Sequence, residues 1–189
     1  MRICPNRLLL FLILPWIAWS GWRPHDAVTW WLETVPVFIG LVAVGIAARK
    51  GWMMSKLALV LIGLHMILLL VGGHYTYALA PPGEWIKGWF GFERNHYDRI
   101  GHFFQGMVPA IVCREILVRN RVFARRGWLS FTVISFCLAF SACYELFEWL
   151  TALVSKEASE SFLGTQGDVW DTQTDMFMAG LGALFPCWC

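Results

Sequence analysis

The side chains of this sequence that could do chemistry are carboxylates and a histidine that recur at helical spacing in separate segments. In the segment "NHYDRIGHFFQG", Asp98 and His102 are four residues apart, with Arg99 between them. In "SACYELFEWL", Glu145 and Glu148 are three residues apart. Because residues three or four apart lie on one face of a helix, each segment is predicted to present a polar face.

A third segment, "GTQGDVWDTQTD", places three aspartates just before the last apolar run of the chain: Asp168, Asp171 and Asp175. If this segment is helical from Asp168 onward, all three carboxylates fall on one face. Each aspartate could instead be an ordinary cap or loop residue, and each glutamate a hydrogen-bonding group between helices. The recurrence of the pattern in three segments favours a shared functional site over these structural roles.

Such a site could hold a divalent metal, relay protons or bind a cationic group. Five or six carboxylates near Arg99 and His102 cannot all stay ionised together without a cation, so either some are protonated, or water fills the site, or a metal or an external cationic group neutralises them. The side chains that could serve as metal ligands are Asp98, His102, Glu145 and Asp171. Oxygen ligands with one imidazole suit Mg²⁺, Mn²⁺ or Zn²⁺, although the sequence does not specify the cofactor.

The composition indicates that these segments belong to a membrane protein. Of the 189 residues, 58% are hydrophobic and 15% are charged, which is unlike an ordinary soluble domain. The charged residues are separated by apolar runs long enough for transmembrane helices. The predicted spans are residues 7–22, 30–48, 57–79, 98–118, 128–153 and 172–189. The sequence therefore predicts an all-α, polytopic membrane helix bundle of about six transmembrane helices, forming a single integral membrane domain over residues 1–189.

The basic residues predict the orientation of this bundle. Arg2 and Arg7 precede the first span, and the second and fourth loops are basic, whereas the other loops are not. By the positive-inside rule, both termini lie in the cytoplasm (N-in/C-in). The N-terminus also has features of a signal peptide, but Trp19 interrupts its small-residue cleavage motif, which favours an uncleaved first span. At the other end, Pro186 interrupts a last span that is already short.

In this topology, the three polar segments reach the same depth. The fourth span runs inward from the outer surface, the fifth carries its glutamates in its outer half, and the sixth enters from outside with its aspartates. We therefore predict one polar site near the outer leaflet. Its residues are Asp98, Arg99, His102, Glu145, Glu148, Asp168, Asp171 and Asp175.

The same three segments resemble the signature segments of the YjdF-type bacterial inner-membrane proteins. The resemblance covers residues from about 20 to 184 and implies a multi-pass protein of the bacterial inner membrane, in a family whose biochemical role is unassigned. A fainter resemblance is to VanZ-like proteins, through Asp98, Arg99, His102, Glu145 and Asp171. Glu148 and Asp175 stand where the VanZ-like pattern would have amide side chains. This sequence is therefore more acidic than that pattern at the shared site.

Three classes of function are compatible with these features. The first is binding or modification of an envelope lipid, a lipid-linked molecule or another amphiphile at the outer-leaflet site. The second is a metal-dependent integral-membrane hydrolase or transferase, and the third is a proton- or cation-coupled transporter. Whether the protein is an enzyme is left open. Membrane lipid is the expected partner, and no feature indicates nucleic-acid binding.

Overall fold

The computed structural model describes residues 5–154 and 162–187, which form helices and, within these ranges, no strand. The all-α prediction is confirmed. The α-helices are α1 (Pro5–Ser20), α2 (Ala27–Arg49), α3 (Lys56–Tyr75), α4 (Pro81–Phe90), α5 (Tyr97–Arg119), α6 (Arg126–Val154) and α7 (Asp171–Leu184). The chain divides into two compact units, Met1–Tyr97 and Asp98–Cys189. The single-domain assignment stays a prediction.

Three helices in the described part of the chain are long and apolar enough to cross a membrane: α2, α3 and α6. Helix α1 is apolar but shorter. Helix α5 has 23 residues, which is long enough to cross a membrane. It is not among the three because several of its side chains are ionisable, including Asp98, Arg99 and His102. The number of spans and their orientation therefore stay predictions.

The last predicted span, residues 172–189, is shorter in the structure. Helix α7 has 14 residues and ends at Leu184, where a 3₁₀ turn begins at Phe185. Pro186 lacks the backbone N–H that a continuing helix would need. At about 1.5 Å per residue, α7 is about 21 Å long, whereas a bilayer's hydrocarbon core is about 30 Å thick. Residues 188 and 189 lie outside the described ranges.

In the first unit, α1, α2 and α3 pack against one another around a polar contact. The Ser20 hydroxyl donates to the Leu70 carbonyl oxygen at 2.6 Å and accepts from the Trp30 indole N–H at 2.8 Å. Both hydrogen bonds are buried, so they satisfy polar groups that water cannot reach. The end of α1 is thereby fixed to α2 and α3.

Helix α4 corrects the sequence prediction, which treated residues 80–97 as a loop. Pro81 begins α4, and prolines suit the first turn of a helix because its N–H groups have no helical partner. Gly91 ends α4 in the left-handed conformation, with φ 68°. Trp85 and Trp89 are exposed on α4. A helix of 10 residues is too short to be predicted as a transmembrane span, so the apolar runs of the sequence do not reveal it.

In the second unit, α5 and α7 approach so closely that their backbones touch. A methyl group on Gly106 would overlap the Ala179 carbonyl oxygen, and one on Gly182 would overlap the Phe103 carbonyl oxygen. Only glycine permits this approach at both positions. Helix α6 packs along α7, and the three helices share a small apolar cluster that includes Ala110, Cys137 and Ala183.

Candidate functional site

The first part of the site is the polar face of α5. Asp98 and His102 are one turn apart, and the His102 Nε2 atom lies 3.5 Å from the Asp98 Oδ1 atom. The His102 side chain is buried, with 4% of its surface exposed. The spacing of four residues places both groups on the same face, as the sequence predicts.

Helix α6 brings Glu145 to the other side of the same imidazole. The His102 Nδ1 atom lies 3.6 Å from the Glu145 Oε1 atom, and the Glu145 side chain is 5% exposed. The imidazole of His102 therefore lies between two carboxylates that come from different helices. Glu148, one turn further along α6, is also buried. Glu148 is not one of the three side chains whose ligand atoms come together at His102. It also does not line the cavity between α6 and the start of α7.

Helix α7 contributes Asp175 and Asp171, both of them buried. Asp98, His102 and Asp175 each offer one ligand atom, and these three atoms all lie within 4.8 Å of one another. We call these three residues the acidic trio. The close contact of α5 with α7 at Gly106 and Gly182 makes this convergence possible, because bulkier residues would hold the two backbones apart.

Several buried polar atoms on these helices have no hydrogen-bond partner among the described residues. They are His102 Nδ1, Ser141 Oγ, Glu145 Oε1 and Asp175 Oδ1. An unsatisfied buried polar group typically costs about 1–3 kcal/mol. A cluster of such groups on three helices is therefore costly to folding unless something further neutralises or satisfies it.

Asp168 lies elsewhere than the sequence predicts. Helix α7 begins at Asp171, so Asp168 belongs to the preceding turn and not to the helix face that carries Asp171 and Asp175. The Arg99 Nη2 atom donates to the Asp168 Oδ2 atom at 2.5 Å, and Asp168 Oδ1 accepts from the Trp170 backbone N–H at 2.9 Å. Gly167, with φ 85°, allows the turn that makes this possible.

A cavity of about 540 Å³ lies between α6 and the start of α7. Its polar lining residues are Glu145, Thr165, Asp168, Asp171, Thr172 and Gln173, and its apolar lining residues are Ala142, Leu146, Trp149, Val169 and Met176. Glu145 belongs to this lining and also lies beside His102. Glu145 therefore lies between the cavity and the acidic trio.

The sequence prediction and the geometry differ in which residues form the tightest group. The predicted metal ligands included Glu145 and Asp171, whereas the compact group in the structure contains Asp175 instead. Thr172 was not predicted, although it interacts with Glu145 and lines the cavity. Its position one residue after Asp171 gives no signal in the sequence, because threonine is common in the first turn of a helix. The functional role of all these residues stays a prediction.

Comparisons with known proteins place the chain among membrane proteins. Residues 5–189 match a family described as "Predicted membrane protein (DUF2238)". The chain is 49% identical over 179 residues to the "Inner membrane protein YjdF" of Escherichia coli (strain K12), covering 95% of this chain and 84% of the relative. No solved structure matches it. The resemblance to YjdF-type proteins is thus confirmed, whereas the fainter resemblance to VanZ-like proteins is not shown.

Proposed function

Because the chain belongs to the DUF2238 family of membrane proteins and is a multi-pass protein of the bacterial inner membrane, we propose that it binds an envelope lipid or another amphiphile in the cavity between α6 and α7. One observation carries the proposal. The cavity lining combines the carboxylates of Glu145 and Asp171 with the large apolar side chains of Leu146, Trp149 and Val169. Its volume of about 540 Å³ is within the usual range for small-molecule sites.

The polar end of the cavity suits a head group with a positive charge or several hydrogen-bond donors. Asp168 is already paired with Arg99, whereas Glu145 and Asp171 add two further carboxylates to the lining. A carboxylate accepts hydrogen bonds and does not donate them while it is ionised. A group such as a primary ammonium would therefore donate hydrogen bonds to these carboxylates and reduce the negative charge of the site.

The apolar end suits a hydrocarbon chain. Leu146, Trp149 and Val169 are large and exposed, and α6 is long and apolar enough to cross a membrane. In such a helix, exposed apolar side chains are the ones that contact lipid. An acyl chain lying against them would be held by van der Waals contact. A molecule with both a donor-rich head and an acyl chain would match both ends of the cavity.

The other classes named from the sequence stay predictions. A hydrolase or transferase would need turnover of the bound molecule, and a transporter would need a path for an ion across the membrane. The cavity and its lining residues provide a place to bind, which is the common requirement of all three classes. Binding is therefore the function that these residues support best.

The test is to compare two phospholipids with identical acyl chains on the purified protein in detergent, by native mass spectrometry. Phosphatidylethanolamine carries a primary ammonium, whereas phosphatidylglycerol carries none. We expect stronger retention of phosphatidylethanolamine, because only its head group can neutralise the acidic end of the cavity. Replacing Asp171 with Asn should reduce the difference between the two lipids, since it removes one negative charge.

The apolar end is tested by Trp149→Ala, which should weaken retention of both lipids. Trp128→Ala is the matched control, because Trp128 lies at the other end of α6 with 59% of its surface exposed, against 56% for Trp149. Equal retention of both lipids by the wild-type protein, or equal losses in the two tryptophan variants, would contradict the proposal.

A further inference from the structure

The acidic trio has the composition and spacing of a cation site. Its ligand atoms, from Asp98, His102 and Asp175, all lie within 4.8 Å of one another. His102 and Asp175 are 4% and 2% exposed. The Oδ1 atom of Asp175 is buried without a hydrogen-bond partner among the described residues. A carboxylate this deeply buried is a rare feature of folded proteins unless it is paired or binds a metal.

The distances within the trio also point to a shared ion. The Nε2 atom of His102 is 3.5 Å from the Asp98 Oδ1 atom, which is longer than the roughly 2.7–3.2 Å of a good N–H···O hydrogen bond. Two ligands that each lie about 2.1 Å from one tetrahedral zinc ion are about 3.4 Å apart. The observed separation therefore fits two ligands on one ion, and it is also within reach of a long hydrogen bond.

Glu145 supplies the supporting contact that metal-binding histidines usually have. A histidine that binds a metal through one ring nitrogen commonly donates a hydrogen bond from the other to a carboxylate. The Nδ1 atom of His102 faces the Glu145 Oε1 atom at 3.6 Å, on the side of the ring opposite Asp98. With Nε2 as the ligand atom, Glu145 would fix both the tautomer and the orientation of the ring.

The charges of the side chains around His102 also favour a bound cation. The two aspartates of the trio and Glu145 carry up to three negative charges, and the nearest cationic side chain on α5, Arg99, is paired with Asp168. One protonated imidazole would not neutralise three carboxylates. A divalent cation would neutralise two of these charges, and it would at the same time coordinate the carboxylate oxygens of the trio.

We propose that Asp98, His102 and Asp175 bind one divalent cation through His102 Nε2 and a carboxylate oxygen of each aspartate, with Glu145 as a positioning residue for the imidazole. Two oxygen ligands and one nitrogen ligand suit Mn²⁺ or Zn²⁺, and also Mg²⁺, better than a soft metal. Three protein ligands leave further coordination positions for water or another molecule. The proposal concerns the ion alone and does not depend on whether the cavity binds an amphiphile.

The experiment uses the full-length protein, purified in detergent, stripped with a chelator and titrated with MnCl₂. Free Mn²⁺ is followed by electron paramagnetic resonance, and Zn²⁺ content is measured separately by elemental analysis. We expect about one ion per chain for the wild type, as a single three-ligand site requires. Asp175→Asn and His102→Gln should abolish stoichiometric binding. Glu145→Gln should retain the site but bind about 10- to 100-fold more weakly, as other changes beside metal ligands do.

Glu115→Gln is the matched control, because Glu115 is also a carboxylate on α5 but pairs with Arg119 at 2.7 Å and lies outside the trio. It should bind Mn²⁺ like the wild type. A wild-type protein that binds no ion above background, or a Glu115→Gln variant that loses as much binding as Asp175→Asn, would overturn the proposal.

If a variant of a metal ligand fails to fold, a measurement on the wild-type protein alone still tests the proposal. Mn²⁺ or Zn²⁺ should raise the thermal unfolding midpoint of the stripped wild-type protein, because an ion that binds only the folded state stabilises it. The same shift should appear in Glu115→Gln. If neither metal shifts the midpoint at saturating concentration, the proposal is wrong.

Discussion

Gly106 of α5 and Ala179 of α7 lie so close that a methyl group on Gly106 would overlap the Ala179 carbonyl oxygen. His102 is one turn before Gly106 on its helix, and Asp175 is one turn before Ala179 on the other. The backbone contact therefore lies directly beside two members of the acidic trio. Any residue that separates α5 from α7 at this point should also move these two side chains apart.

Replacing Gly106 with Ala should destabilise the protein. The added methyl group meets backbone atoms, which cannot rotate away as a flexible side chain could, so the cost should be about 1–3 kcal/mol. Gly45→Ala is the control, because among the described residues nothing outside its own stretch of α2 lies within 4 Å of the position that its methyl group would take. Thermal unfolding in detergent should show a lower midpoint for Gly106→Ala only. Equal midpoints for the two variants would refute the backbone contact.

Replacing Asp168 with Ala should loosen the turn before α7. Arg99 and Asp168 are 20% and 26% exposed, so solvent partly screens the ion pair and its contribution to stability is on the order of 1 kcal/mol. The larger effect of the substitution is expected to be local, because Asp168 also accepts a hydrogen bond from the Trp170 backbone N–H. Amide hydrogen exchange should become faster in residues 165–170 and stay unchanged in α2 and α3. An unchanged exchange rate in residues 165–170 would show that the pair does not hold the turn.

Replacing Asp26 with Ala should weaken the start of α2. The Asp26 Oδ1 atom accepts a hydrogen bond from the Thr29 backbone N–H at 2.6 Å, which satisfies one of the free donors at this helix end. Loss of such a cap costs about 1 kcal/mol. Asp26→Asn is the control, because the amide keeps an oxygen that can accept the same bond. The unfolding midpoint should fall clearly for Ala and only slightly for Asn.

The same cap should depend on pH. Hydrogen bonding from the Thr29 backbone N–H lowers the pKa of Asp26 below its ordinary value of 3.8. A group whose pKa is lower in the folded state contributes stability that is complete above the unfolded pKa and is lost as the pH falls through the folded one. Between pH 7 and pH 3, the wild type should therefore lose stability relative to Asp26→Asn. Parallel pH curves for the two proteins would exclude an ionised cap.

The predicted orientation can be tested with reporter fusions. Fusions after Lys50 and Val122 should report a cytoplasmic location, because the loops there are basic. Fusions after Phe90 and Glu160 should report an external location. Because α7 is shorter than the hydrocarbon core of a bilayer, a further fusion at the C-terminus tests the final crossing separately. A reversed result at any of the four loops would contradict N-in/C-in orientation.

The sequence predicted the long apolar helices well because their signal is strong. The predicted spans 30–48 and 128–153 differ from α2 and α6 by one to three residues at each end. Helix α4 was missed because a short amphipathic helix has no long apolar run, and α7 was predicted too long because the apolar residues continue past the point where Pro186 ends the helix. Apolar length is thus a good guide to a helix and a poor guide to its ends.

For the candidate site, spacing identified which face of each helix is polar but not which residues come closest. Asp98 and His102 are placed on one face by their separation alone. The choice of Asp175 over Asp171 for the acidic trio depends on how α7 is rotated and how closely it approaches α5, which the two glycines determine. Asp168 does not share the helix face of Asp171 and Asp175, which it would do if the helix began at Asp168, because α7 begins only at Asp171, after the turn at Gly167.

Glu145 lies beside His102 and also lines the cavity, and this double position has a thermodynamic consequence. If an ion at the trio and an amphiphile in the cavity both interact with Glu145, their affinities are linked. Whatever factor the ion applies to the affinity for the amphiphile, the amphiphile must apply to the affinity for the ion, since the two orders of binding reach the same final state. The lipid retention measured with and without Mn²⁺ would then give the size of this coupling, and Glu145→Gln should reduce it.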